Sequence, residues 1–242
     1  MSTLIESPVH SSGENETTVA APVELLRSVF KSISSSSCPH HANFHMHTVF
    51  SDGNLTPGDL VRQAIQIGLS DFAITDHHSV GGYRQARALL DEDLTNGVGH
   101  QHSRLPRLWV GTEVNAQLLD TEVHILCYAF DVDASVMQPY LQGETVIGDR
   151  YLASSVIASV HEAGGLTVLA HPDRYRQSPA ELIPEAARLG IDGVETYYAY
   201  DNPSPWRPSP KQTERVRQLV EDYQLFHTCG TDTHGLNLLT RL

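Results

Sequence analysis

No hydrophobic run in this chain approaches the roughly 18 residues that cross a bilayer, and the first residues lack the basic-then-apolar pattern of a secretory leader. A cytoplasmic protein without a membrane partner is the expectation. Cysteine is scarce: Cys38, Cys127 and Cys229 show no C-x-x-C spacing, so no disulfide framework is implied. Two of the three sit in apolar runs (HILCYAF and LFHTCG), as buried free thiols of a reducing compartment do. Positive charge is also short, with 16 Lys and Arg against 29 Asp and Glu and a net charge of −13. Long nucleic-acid backbones are disfavoured as partners unless bound metals reverse the local sign. At 242 residues, 40% of them hydrophobic, the chain can build one substantial core.

Residues 1–20 are rich in Ser, Thr and Glu, with little to bury. In 22–34, Val23, Leu26, Val29, Phe30 and Ile33 recur at helical spacing and predict a short amphipathic helix on the outside of the main domain. We divide the chain into an N-terminal arm, 1–40, and a catalytic domain, 41–242. From Asn43 onward, short apolar runs alternate with helical patterns. Helices are expected near 57–67, 81–90, 135–163, 179–189 and 210–223. This rhythm predicts an α/β fold with mostly parallel strands. Thr56-Pro57 and Ser178-Pro179 are helix starts, and Gly68 and Gly190 are stops.

Polar residues gather at the strand ends, where parallel α/β folds place their sites. His45-x-His47 sets two imidazoles on one face of a strand, with Asp52 arriving from the following turn. His77 ends the next strand, Glu113 ends another, and His124, His171, Asp232 and His234 recur at the edges of later ones. Six histidines and three carboxylates in such places point to a metal site, and mixed N/O donors suit Zn, Mn or Fe better than Ca or Mg.

The ordered motifs HxHTxxSDG, ITDH, GTE, ExHIL, LAHP, GVE and GTDTHG, from about Asn43 to Leu242, resemble the PHP (polymerase and histidinol phosphatase) phosphoesterases. The resemblance implies a single-domain, distorted (β/α)7 barrel. It also implies two or three divalent transition-metal ions at the strand ends. His45, His47, Glu113 and Asp232 would hold one ion. Glu113, bridging, would hold a second with His124 and His171, and Asp52, His77 and His234 would hold the third. The implied activity is hydrolysis of phosphate mono- or diesters on a small nucleotide or metabolite by a metal-bridged hydroxide, with Asp232 and His234 as catalytic residues. A histidinol-phosphatase-like enzyme and a non-catalytic metal-binding scaffold are the alternatives. The chain departs from the common Asp-His-Asp pattern at His78 and has only 46 residues between His124 and His171, where nucleotide-cleaving relatives often carry a large insertion.

Arg174, three residues after His171, is a candidate phosphate clamp or else a surface arginine. Glu195 is a candidate support for a ligand histidine. Tyr197 and Tyr198 either stack on a base or pack the core. His227 reads as a core residue, and His10, His40, His41, His100, His102 and His161 as solvated.

Overall fold

The computed structural model describes residues 20–95 and 105–242. Two helices start where the sequence supplies a capping side chain. In α2 (Pro57–Ile67), the Thr56 side chain accepts the Asp59 N–H at 3.1 Å, and Gly68, at φ 83°, turns the chain out of the helix. Leu60, Val61 and Ala64 form its buried face. In α5 (Pro179–Arg188), Glu181 reaches back to accept the Ser178 N–H at 3.0 Å.

Three strands, β1 (Ala42–Asn43), β2 (Asp71–Ala73) and β3 (Arg107–Trp109), form a parallel sheet. The second sheet is β4 (Gly111–Leu118), β5 (Thr121–Tyr128), β6 (Leu166–Leu169), β7 (Gly193–Tyr197) and β8 (Phe226–Cys229), in that order. Its β6–β7 and β7–β8 pairs are parallel, as expected, whereas β4–β5 and β5–β6 are antiparallel. The reason is local: two residues join β4 to β5, far too few for the crossover that a parallel pair needs.

Isolated pairings, Met46 with Thr233 and His77 with Glu113, join the two sheets. The Asp232 N–H donates to His45 O at 2.8 Å, and the His78 N–H donates to Glu113 O at 2.9 Å. Six of the predicted ligand residues lie in or beside these joints. The result is a single α/β domain whose helices α3 (Gly81–Thr95), α4 (Ala153–Glu162) and α6 (Pro210–Asp222) pack with α2 and α5 around the sheets. No helix among the described residues is long and apolar enough to cross a membrane.

The single helix predicted over 135–163 is broken. Short 3-10 turns occupy Gln138–Tyr140 and Gly148–Tyr151, and only α4 is α-helical. Gly143 and Gly148 take φ values of 81° and 65°, which no right-handed helix accommodates. The predicted N-terminal helix forms as α1 (Ala20–Phe30). Its Leu26 and Phe30 are buried, and Phe30 packs edge-on against Phe44 and Tyr128, with ring centroids 5.0 and 5.7 Å apart. α1 therefore closes one of the domain's hydrophobic clusters.

Candidate metal centre

All nine predicted ligand residues converge where the strands end. His45 and His47 are fully buried, two residues apart on one face of the segment after β1. Glu113 comes from β4 and Asp232 from the turn after β8. His45 Nε2 lies 3.0 Å from Glu113 Oε2 and 3.4 Å from Asp232 Oδ1. His47 Nε2 lies 3.2 and 3.3 Å from the same two oxygens. Donors around a tetrahedral ion at about 2.0–2.1 Å stand roughly 3.4 Å apart, close to each of these imidazole–carboxylate separations; His45, His47 and Glu113 form one candidate set, and His45, His171 and Asp232 another.

Glu113 turns its other oxygen to a second group: Oε1 is 2.7 Å from His124 Nδ1 and 3.4 Å from His171 Nε2. Asp52 Oδ2 is 3.1 Å from His234 Nε2 and 3.8 Å from His77 Nε2. His77 also stands 3.6 Å from Glu113 Oε2 and groups with Glu113 and His124, so it lies between the second and third sets.

The tautomers test whether cations belong here. Glu195 Oε1 lies 3.0 Å from His45 Nδ1, so Nδ1 is the donor. A neutral His45 then aims the Nε2 lone pair at two carboxylates. His234 repeats the pattern, with Nδ1 donating to Asp232 O at 2.8 Å and Nε2 facing Asp52. His47 Nε2 is buried and makes no aligned hydrogen bond. Acceptors facing acceptors in a dry site are costly unless a proton or a cation lies between them.

Without an ion, the protein uses protons. Burial disfavours charge on His47, but the nearby Asp232 and Glu113 carboxylates outweigh it and raise its pKa to about 9. Burial likewise opposes ionisation of Glu113 and Asp232, yet the surrounding histidines, His45 foremost, hold both well below the usual carboxylate range. Burial lowers His77 to about 4.

Two of the predicted ligand residues have left-handed backbones, His171 at φ 28° and Asp232 at φ 53°. For non-glycine residues this costs on the order of 1–3 kcal/mol each, and it persists where surrounding bonds enforce it. Here the His171 N–H donates to Glu195 Oε2 at 2.9 Å, and the Asp232 N–H is held by His45 O. Glu195 thus orients two of the predicted ligand residues, His45 and His171.

Arg174 Nη1 donates to Asp232 Oδ2 at 3.0 Å and to Tyr198 OH at 3.1 Å, while Tyr198 OH itself donates to the same Oδ2 at 2.6 Å. Tyr198 is therefore bonded to the site's carboxylate, whereas Tyr197 packs in the core around α1. Sequence reasoning missed Arg241, whose Nε donates to Asp232 Oδ2 at 2.8 Å, because it stands outside every motif. It also passed over Asp76, which accepts the Thr48 N–H at 2.6 Å and so ties down the loop between His47 and Asp52. The signal was present in ITDH, beside the histidine that was read.

His78 points elsewhere, with its Nε2 accepting the Asn115 N–H at 3.2 Å. His227 is partly buried and bonds Thr196 at 2.9 Å. His40 and His41 are exposed. His161 is less free than expected, lying 2.7 Å from Asp192 Oδ2. His10, His100 and His102 lie outside the described residues. A cavity of about 140 Å³ opens over the centre, walled by seven of the nine ligand residues together with Arg174 and Arg241. A larger hollow of about 610 Å³, beside Pro22, Leu25, Trp109 and Phe130, contains none of them.

An α/β domain with histidines and carboxylates gathered at its strand ends is the architecture of a metal-dependent hydrolase. The PHP domain model matches residues 43–179. The "5'-3' exoribonuclease Rnm" of Salmonella typhimurium is 30% identical over 263 residues, covering 79% of this chain and 84% of that protein. An uncharacterized protein of Methanocaldococcus jannaschii is 31% identical over 149 residues, which span 59% of this chain and 63% of that protein. In fold, the chain is similar to a candidate metal-dependent phosphoesterase from Bifidobacterium adolescentis, with a TM-score of 0.62, 24% identity, and coverage of 81% of this chain and 88% of that one. The chain belongs to the PHP domain family.

Proposed function

We propose that this protein hydrolyses phosphate esters with two or three transition-metal ions held by the nine converging residues. The observation that carries the reading is His45, fixed by Glu195 through Nδ1 so that its Nε2 lone pair meets two buried carboxylates. His45, His47, Glu113 and Asp232 would hold one ion, and Glu113, His124 and His171 a second. The two Glu113 oxygens face different histidine sets, as a bridging carboxylate would. Asp52, His77 and His234 would complete the third. We read the two sheets and their joining bonds as a distorted seven-stranded barrel, with β3 and β4 as one bent strand.

Bound at this centre, Zn, Mn or Fe ions supply Lewis-acid activation of water and neutralise phosphoryl oxygens. The side chains do the rest. Arg174, on the cavity wall, positions the phosphoryl group by paired charge-assisted hydrogen bonds. Asp232 commits Oδ2 to Tyr198, Arg174 and Arg241 and turns Oδ1 inward to the ion's side, where it would orient the attacking water. His234, at the rim, would assist the leaving oxygen.

The substrate is a phosphate ester of a nucleotide or small metabolite. The net charge of −13 disfavours a long polyanion. The related exoribonuclease acts 5' to 3' by name, so the end of a short RNA belongs among the candidates. Replacing Asp232 with Asn tests the reading, because the amide oxygen can still accept from Tyr198 and the arginines while the charge is gone. We expect a folded protein with at least ~100-fold lower phosphate release. Wild-type rates would refute the assignment.

A further inference from the structure

The segment after His234 is built into the centre by several independent bonds. The Thr233 hydroxyl donates to Thr240 O at 2.8 Å, and the His234 N–H donates to Arg241 O at 2.7 Å. Gln63, on α2, clasps the segment from both sides: its Nε2 donates to Leu236 O at 2.9 Å and its Oε1 accepts the Leu238 N–H at 3.0 Å. The Leu238 side chain is fully buried. These bonds fix where the Arg241 side chain goes, and it goes to the cavity wall with only 18% of its surface exposed.

Arg241 and Arg174 thus reach one carboxylate oxygen, Asp232 Oδ2, from two separate segments, at 2.8 and 3.0 Å. One neutralising partner would serve a single buried carboxylate. The second guanidinium brings a further positive charge and N–H groups that Asp232 does not use, and both line the same cavity. The cavity, about 140 Å³, has room for a phosphoryl group between the two arginines and the predicted ligand residues.

We propose that Arg241 is a substrate-binding residue which, paired with Arg174, recognises a terminal phosphoryl group, the dianionic end of a phosphate monoester. A terminal phosphoryl group offers three free oxygens and close to two negative charges, and two guanidinium forks complement it. An internal diester offers two free oxygens and one charge, and it needs an exit on both sides. The proposal rests on phosphoester hydrolysis at this centre, and it adds the substrate class.

The test compares the metal-replete wild type with R241A, R241K and R241Q. Metal content, affinity for inorganic phosphate by calorimetry, and kcat/KM on p-nitrophenyl phosphate and bis-p-nitrophenyl phosphate are measured for each. Metal content should hold in all four. In R241A, phosphate affinity should fall at least ~10-fold and monoester kcat/KM about 100-fold, with under ~10-fold lost on the diester and partial recovery on adding ethylguanidinium. R241Q keeps an amide donor for Asp232, and R241K keeps the charge without the fork. Both should stay impaired on the monoester, and they decide the matter if R241A fails to fold. Equal losses on the two esters with unchanged phosphate affinity, or full activity in R241Q, would show that Arg241 only props Asp232. A wild type that cleaves neither ester would sink the proposed hydrolysis, while phosphate affinity of wild type against R241Q would still decide the role of Arg241.

Discussion

His45 is specified at both ends. Glu195 takes its Nδ1 proton, and the same carboxylate takes the His171 N–H, so one acidic residue sets the tautomer of one ligand and the backbone of another. Glu195→Gln should therefore weaken metal affinity by about 10–100-fold without removing a ligand. Competition against a chelator reads this directly, and an unchanged affinity would return Glu195 to core packing. The metal-free protein should also carry a pH signature. His47 is raised from its ordinary value near 6.5 to about 9. Its contribution to stability is thus complete below pH 6.5 and is lost as pH rises through 9. Chelated protein should melt at progressively lower temperature across that window. Metal-replete protein should not, because ions need the deprotonated imidazole. Parallel melting curves for the two forms would show that the cluster holds no ion.

At the scale of elements, the strand ends explain why so much of the site was legible in the sequence. H-x-H on one extended segment and single His or Asp residues after apolar runs are local patterns, and alternation along a strand fixes where they point. Arg241 and the double role of Glu195 were not legible, because they depend on which segments meet, and no local period encodes that. The antiparallel β4–β5–β6 run was masked by the α/β rhythm, and the 135–163 helix was over-read because its apolar spacing hides Gly143 and Gly148. α1 shows the opposite case: its pattern announced a buried face, and Phe30 fills the space beside Phe44, Tyr128 and Phe226. Phe30→Ala should cost about 3–5 kcal/mol in urea unfolding while leaving turnover per folded molecule intact, since no ligand residue lies in α1. A loss under about 1 kcal/mol would mean that the helix is a loosely attached arm.

The whole molecule places concentrated charge where a net charge of −13 would otherwise repel a phosphate. Three carboxylates, six histidines and two arginines gather at one centre, and bound cations would reverse its sign locally. Family membership and fold agree with that placement, and the centre stands or falls on its metals. The most direct measurement is a titration of chelator-treated protein with Mn, Zn or Fe(II), following phosphate release and bound metal together. We expect no turnover without metal and a rise that saturates at two to three equivalents per chain. Turnover that survives complete metal removal, or a protein that binds no metal under these conditions, would contradict it.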